Sequence, residues 1–236
     1  MTRKNDREGQ KMIFGAVIAA AGMSKRMKTF KQLMKIGDMS FTESVIGNFR
    51  NAGIKDIAVV TGYRGDELEE SLRESGVVFL RNEDYESTQM FDSALIGFSY
   101  LKERCDGVFF SPVDVPAFTV DTIKALAENA EKADVLVPRC QGRPGHPLLL
   151  NKRALEFMQG YDGRGGLRGA YEEIMASGYG TVLNLPVKDD GSIMDADTEE
   201  DYENLLRFKN ARLSDPSVSG GDWLKKSNKN GDFGNE

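Results

Sequence analysis

Gly15-Ala-Val-Ile-Ala-Ala-Ala-Gly22-Met-Ser24-Lys25-Arg26-Met-Lys28-Thr-Phe-Lys31 reads as a buried strand that runs straight into a glycine-bearing loop carrying four cations. Residues 14–21 form a continuous apolar run of the length expected for a strand covered on both faces, as in a parallel sheet. Gly22 breaks that run where the backbone must approach a ligand or take an unusual dihedral. Backbone N–H groups in such a turn can point at phosphate oxygens, and Arg26 and Lys31 supply full positive charge for the same anion. An ordinary βα turn with solvated cations accounts for the same residues, so the loop needs company before it means phosphate.

Outward from this loop, strand-like and helix-like stretches alternate. Further strands are predicted at 54–61, 77–80, 107–114, 133–138 and 180–186, with helical patterns at 41–52, 66–75, 90–101, 119–132, 152–159 and 167–177. Such alternation implies right-handed crossovers, and the expected fold is an α/β three-layer αβα sandwich, Rossmann-like, with a mostly parallel sheet. Ligands then bind beyond the carboxyl ends of the strands, where Gly22 and Asp114 both fall. The predicted organisation is a flexible N-terminus at 1–11, one folded domain at 12–208 and a disordered tail at 209–236, the last because it is polar and rich in glycine. Trp223, the single tryptophan, belongs to that tail.

Composition excludes several classes. The 236 residues are 40% hydrophobic, enough for one large domain with a core. A net charge of −6 argues against general nucleic-acid binding. Cys105 and Cys140 lack metal-ligand spacing and read as free thiols of a reducing compartment. No apolar stretch reaches the length of a membrane span, and the polar start is not a secretory segment, so no membrane partner and a cytoplasmic location are expected. No internal repeat is evident.

Five further elements carry chemistry. Ser111-Pro-Val-Asp114-Val-Pro116 places a carboxylate after an apolar strand between two prolines that restrict the loop. It suits a hard cation such as Mg²⁺, which takes one or two protein carboxylates together with substrate phosphates; Thr119 is better placed than Asp114 to cap the helix that follows. Asp195 and Asp197, two residues apart before a helix, share one side of an extended chain, while Thr198 and Asp201 satisfy a capping-box pattern. Gly142-Arg143-Pro-Gly145-His146-Pro147 holds the sole histidine, and Asp162-Gly-Arg164-Gly-Gly166-Leu-Arg168 is a second basic, glycine-rich loop. Gln89 and Ser93 sit where a helix begins after a strand, with Thr88 and Asp92 as alternative caps.

The run Ala20-Ala21-Gly22-Met23-Ser24-Lys25-Arg26-Met27-Lys28-Thr29-Phe30-Lys31 resembles the opening motif of the sugar-phosphate and cofactor nucleotidyltransferases: a small-residue pair, Gly, any residue, Ser or Gly, any residue, Arg-Met-Gly, two spacers and Lys. Lys28 stands where that motif usually has Gly. Asp114 is similar to the family's Asp-x-Pro element, and residues 195–201 to its late Asp-x-Asp-Thr-Pro-Glu-Asp element, with Glu199 in place of Pro. The Gly-His-Pro triplet resembles the branch that handles molybdenum cofactor, including the molybdopterin cytidylyltransferases and their guanylyl relatives.

The resemblance implies a Mg²⁺-dependent transfer of a nucleotidyl group to a phosphorylated acceptor, with release of pyrophosphate. It implies that Ala20, Ala21, Gly22, Ser24, Arg26, Lys31, Gln89 and Ser93 hold the nucleotide, with Arg26, Lys31 and Asp114 catalytic. Asp114 and Asp197, with Asp195, would hold the metal, and Arg143, Gly145 and His146 the acceptor. Arg139 is a further acceptor candidate. CTP and GTP both remain open as donors, molybdopterin is the expected acceptor, and a molybdoenzyme or maturation factor is the implied protein partner. A dinucleotide oxidoreductase would need Gly-x-Gly-x-x-Gly, which is missing from the Gly22 loop; the alternatives that stay in view are a sugar-phosphate nucleotidyltransferase, which Gly145-His146-Pro147 speaks against, and a non-catalytic nucleotide-binding module, which would not require the three carboxylates.

Overall fold

The computed structural model describes residues 12–23, 27 and 29–214. The first strand, β1 (Phe14–Ala19), is the middle of the apolar run, and its last five residues are buried. Two short strands, β2 (Lys35–Ile36) and β3 (Met39–Ser40), form a separate hairpin before α1 (Phe41–Asn51). Helix α1 starts because Ser40 Oγ accepts from the Glu43 N–H and the Glu43 carboxylate accepts from the Ser40 N–H, a reciprocal box that satisfies two donors of the first turn. The chain continues through β4 (Asp56–Thr61), α2 (Gly65–Ser71), β5 (Val78–Arg81), α3 (Met90–Leu101), β6 (Gly107–Pro112) and α4 (Val120–Glu128). Thr119 caps α4 through its side chain, as its position in the sequence predicts. Strands β7 (Val135–Cys140), β8 (Arg143–Pro144) and β9 (Leu148–Asn151) precede α5 (Lys152–Gly160), α6 (Gly166–Ala176), β10 (Val182–Pro186) and α7 (Glu199–Ser214).

The main sheet has the order β10-β7-β9-β6-β1-β4-β5, with β8 paired to β7. Strand β1 is parallel to both β4 and β6, β4 to β5, and β10 to β7. Alternate residues of β1 feed opposite faces, as period-two geometry requires. Ala16 and Ile18 pack with α1, α2, α4 and α7, whereas Val17 and Ala19 pack with α3, α5 and α6. The result is the expected three-layer α/β sandwich with a mostly parallel sheet.

Two details differ from the sequence reading. Residues 148–151 form β9, which lies antiparallel between β6 and β7. Only three apolar residues separate Pro147 from the helix-capping Asn151, too short a run to read as a strand, yet all three leucines are buried by neighbours on both sides. The domain boundary set at 208 falls inside α7, because Leu205 and Phe208 are buried in the core and carry that helix on to Ser214. Residues 215–236, with Trp223, and residues 1–11 lie outside the described residues. Among the described residues no helix is long and apolar enough to cross a membrane.

Candidate active site

The ends of β1 and β6 open onto a cavity of about 380 Å³ lined by Ala21, Gly22, Lys31, Gln89, Asp114 and Asp197 among others. Topology brings them together: β1 and β6 are neighbours, and the Val113 N–H donates to the Ala19 carbonyl, so the Gly22 loop and the Asp114 loop leave the sheet side by side. The loop carrying Asp114 is held from behind by α1, where Ser44 Oγ donates to the Pro116 carbonyl at 3.0 Å and Asn48 Nδ2 to the Phe118 carbonyl at 2.9 Å. The Ala196 N–H donates to the Asp114 carbonyl, tying the segment that bears Asp197 to the same loop.

Lys31 Nζ donates to Asp197 Oδ1 at 2.6 Å, with the lysine almost wholly buried. Burial pushes the Asp114 carboxyl up to about 6; Lys31 opposes that rise, and the carboxylates of Asp197 and Asp195 add to it. A desolvated acid that shares a cavity with a second carboxylate and an ammonium is an electrostatic pattern common at functional sites.

The metal hypothesis can be tested on the donor set. Among the described residues no group of three or more His, Cys, Asp and Glu side chains is placed to hold a metal by itself. Asp114 and Asp197 nevertheless line one cavity, which suits a cation such as Mg²⁺ that completes its shell from phosphate oxygens and water. Asp195 is exposed and outside that lining, so the two carboxylates of the Asp-x-Asp pair do not converge into the cavity. Buried Ala196 between them anchors the chain, and Asp195 acts on Asp114 only electrostatically. Asp201 accepts from the Thr198 N–H at 2.8 Å and its own N–H donates to Thr198 Oγ1, the capping role expected of it.

Other predicted residues fall in different places. Ala21 and Gly22 line the cavity, but Ala20 is buried beneath them, with its N–H on the Val60 carbonyl. Ser24, Lys25, Arg26 and Lys28 lie outside the described residues. Gln89 and Ser93 both line the cavity. Asp92 does not: its carboxylate accepts from the Gln89 N–H at 2.7 Å and so starts α3. Arg143 is exposed and reaches neither this cavity nor the one beside it, because β8 pairs it with Cys140 at the rim of the sheet. Arg139 is braced by Asn184 at 2.9 Å and the Gly142 carbonyl at 3.1 Å.

His146 and Gly145 line a second cavity, of about 330 Å³, that shares Gln89 and Met90 with the first. The imidazole lies edge-on to the Phe110 ring, and its Nδ1 is sealed from solvent without a hydrogen bond. Burial pushes its pKa down to about 4, against the opposing pull of the Phe110 backbone, so the ring is neutral at physiological pH.

Two braces escaped sequence reading. Gln32 is buried, and its Nε2 donates at 2.8 Å to the carbonyls of both Ala20 and Gly22, which pins the entry to the loop. Asn82 Nδ2 donates to Thr88 Oγ1 at 2.9 Å and Ser93 Oγ at 3.0 Å, fixing the wall beneath Gln89. A lone Gln or Asn in a polar stretch carries no periodic signal, so only its burial reveals the role. Gly62 is also informative: a Cβ there would come within 2.9 Å of the Ala21 carbonyl oxygen and 2.8 Å of Tyr85 Cβ, so the end of β4 passes against the loop only without a side chain.

Comparison with known proteins agrees with this geometry. Residues 16–177 match the model of the MobA-like NTP transferase domain. The chain is 27% identical over 187 residues to the molybdenum cofactor cytidylyltransferase of Escherichia coli (strain K12), covering 79% of this chain and 92% of that protein. A nucleotidyl transferase from Methanothermobacter thermautotroptrophicus superposes with a TM-score of 0.71 at 23% identity, over 86% of this chain and 98% of the other. A Mycobacterium tuberculosis H37Rv protein solved in complex with manganese has a TM-score of 0.68 at 19% identity, over 84% of this chain and all of that one. With the family model spanning most of its length and its strand-end loops meeting at one charged cavity, this chain belongs to the MobA-like NTP transferases and is a nucleotidyltransferase.

Proposed function

We propose that the protein transfers a nucleoside monophosphate from CTP or GTP to a phosphorylated acceptor, most specifically molybdopterin, with release of pyrophosphate and dependence on Mg²⁺. The observation that carries this reading is the convergence of Asp114, Asp197 and Lys31 on one cavity at the carboxyl ends of β1 and β6. The likeness to a molybdenum cofactor cytidylyltransferase supports the acceptor.

The chemistry asks little covalent work of the protein. A phosphate acceptor is already ionised at neutral pH, so it needs no general base to attack the α-phosphorus in line. What the chain supplies is position and charge. Lys31, and Arg26 by resemblance, neutralise phosphate oxygens; the Gly22 loop offers backbone N–H groups; Gln89 and Ser93 meet base or ribose. Asp114 and Asp197 are the residues that would hold a divalent ion, which when bound neutralises charge between donor and acceptor.

The test is pyrophosphate release by purified protein with Mg²⁺, CTP or GTP, and molybdopterin, beside glucosamine 1-phosphate as a sugar-phosphate control. Release with molybdopterin and one of the two nucleotides is expected. No release with either acceptor, and no nucleotide-induced thermal shift, would sink the reading.

A further inference from the structure

Behind the loop that carries Asp114 lies a third cavity, of about 240 Å³, whose charge is opposite to that of the first. Pro116, Phe118, Val120 and Phe208 give it an apolar wall, Lys209 and Arg212 are its cations, and no carboxylate lines it. Asp114 in the first cavity and Pro116 in this one are two residues apart, so a single loop separates them.

Helix α7 brings the cations together. Lys209 and Arg212 are three residues apart and so neighbours on its surface. Phe208 lies four residues before Arg212, whose guanidinium rests 5.5 Å from the centre of its ring. The charges around this pair are unevenly balanced. Asp189 is buried beside them, with Oδ2 accepting from the Thr119 N–H at 2.7 Å, Thr119 Oγ1 at 2.8 Å and Thr122 Oγ1 at 2.6 Å. Its Oδ1 has no hydrogen bond and faces Arg212 Nη1 at 3.7 Å, so this carboxylate balances the guanidinium. Lys209 has no such counterpart: among the described residues it makes no hydrogen bond or ion pair, and burial, then Arg212, holds its pKa below the usual lysine range. A half-buried ammonium beside a guanidinium costs the fold stability that a bound anion restores. The two cations suit a carboxylate or phosphate head, and the apolar wall favours a ligand that also has an apolar body.

We propose that this third cavity is a binding site for a small organic anion, an apolar body bearing one carboxylate or phosphate, held by Lys209 and Arg212 at the back of the Asp114 loop. The site stands on the cavity and its charges and does not depend on the transferase reading.

Benzoate and phenyl phosphate are the probes, titrated calorimetrically into the full-length protein, with acetate, inorganic phosphate and neutral benzyl alcohol as controls. At least one probe should bind saturably, about tenfold or more tighter than the control that shares its head, and benzyl alcohol should not displace it. Which probe binds tells a carboxylate site from a phosphate site. Lys209→Met keeps the length and the helix propensity and should weaken the probe at least about tenfold. Val120→Phe, which fills the cavity from a partly exposed position, should do the same, and serves if the first variant fails to fold. CTP with Mg²⁺ should leave the probe bound. No saturable binding of either probe, binding no tighter than the matching control, displacement by CTP, or unchanged affinity in a folded variant would each overturn the proposal. Thermal shifts with CTP and GTP on the same samples report the first cavity separately. Nucleotide shifts without probe binding remove the anion site and keep the transferase reading; probe binding without nucleotide shifts does the reverse.

Discussion

Asp114 and His146 are the two residues whose chemistry depends most on where the fold puts them. Asp114 combines burial with a place in the cavity wall, so its charge is concentrated where a triphosphate would lie. Asp114→Asn keeps the size and removes the charge. Pyrophosphate release should fall at least about 100-fold with unchanged circular dichroism; retained activity would take this residue out of the metal site. His146 leads to a stability prediction with a definite sign. Its pKa in the folded protein is about 4, below the value of about 6.5 expected in the unfolded chain, so protonation favours unfolding. The stabilising contribution of the neutral ring is complete above about pH 6.5 and is lost as pH falls through about 4. The urea midpoint of wild type should therefore fall relative to that of His146→Phe over that interval as pH falls, and parallel curves would contradict the ring's burial as the cause.

Helix α3 shows how an element sets the site. It carries Gln89 at its start and Ser93 one turn in, and it lies on β1 through Gly97. A Cβ at Gly97 would collide with both γ-methyls of Val17, so the helix sits as close to the strand as it does only because that residue has no side chain. Gly97→Ala should cost about 1–3 kcal/mol and shift the start of α3, raising the KM for nucleotide. Denaturant titration and steady-state kinetics check the two parts; a neutral effect on both would show that the helix tolerates displacement. The strand-and-helix alternation was readable at this scale because each long element has one dominant period. Strand β9 was not: three leucines suit several structures, and only pairing with β6 and β7 chooses among them.

At the scale of the whole molecule, donor nucleotide and divalent ion should act together on stability. Binding to the folded state alone adds about 2.7 kcal/mol at a hundredfold excess over Kd, which for a chain of 236 residues corresponds to roughly 5–10 °C in Tm. CTP or GTP with Mg²⁺ should give a shift of that order in differential scanning fluorimetry. EDTA should remove most of it, since without the ion the negative charge of Asp114 and Asp197 in the cavity wall would oppose the phosphates, with the Lys31 ammonium already engaged by Asp197. A shift indifferent to EDTA would mean that the cations of the chain suffice.

What the sequence determined by itself follows from patterns that need no partner. An eight-residue apolar run, a glycine after it, a carboxylate between prolines and the alternation of periods are all local, and they were enough for the layers of the fold, the rim that carries the site and the roles of Thr119 and Asp201 as caps. Tertiary structure alone decided which of the candidate polar residues share a wall. Asp197 faces the cavity while Asp195 faces solvent, and Gln32 and Asn82 serve as buried braces. Arg143 stays outside both cavities, and His146 lines an aromatic cavity beside the charged one. The physical reason is that burial and pairing arise from residues distant in sequence: the partner of Lys31 lies 166 residues away, and no local pattern encodes that approach.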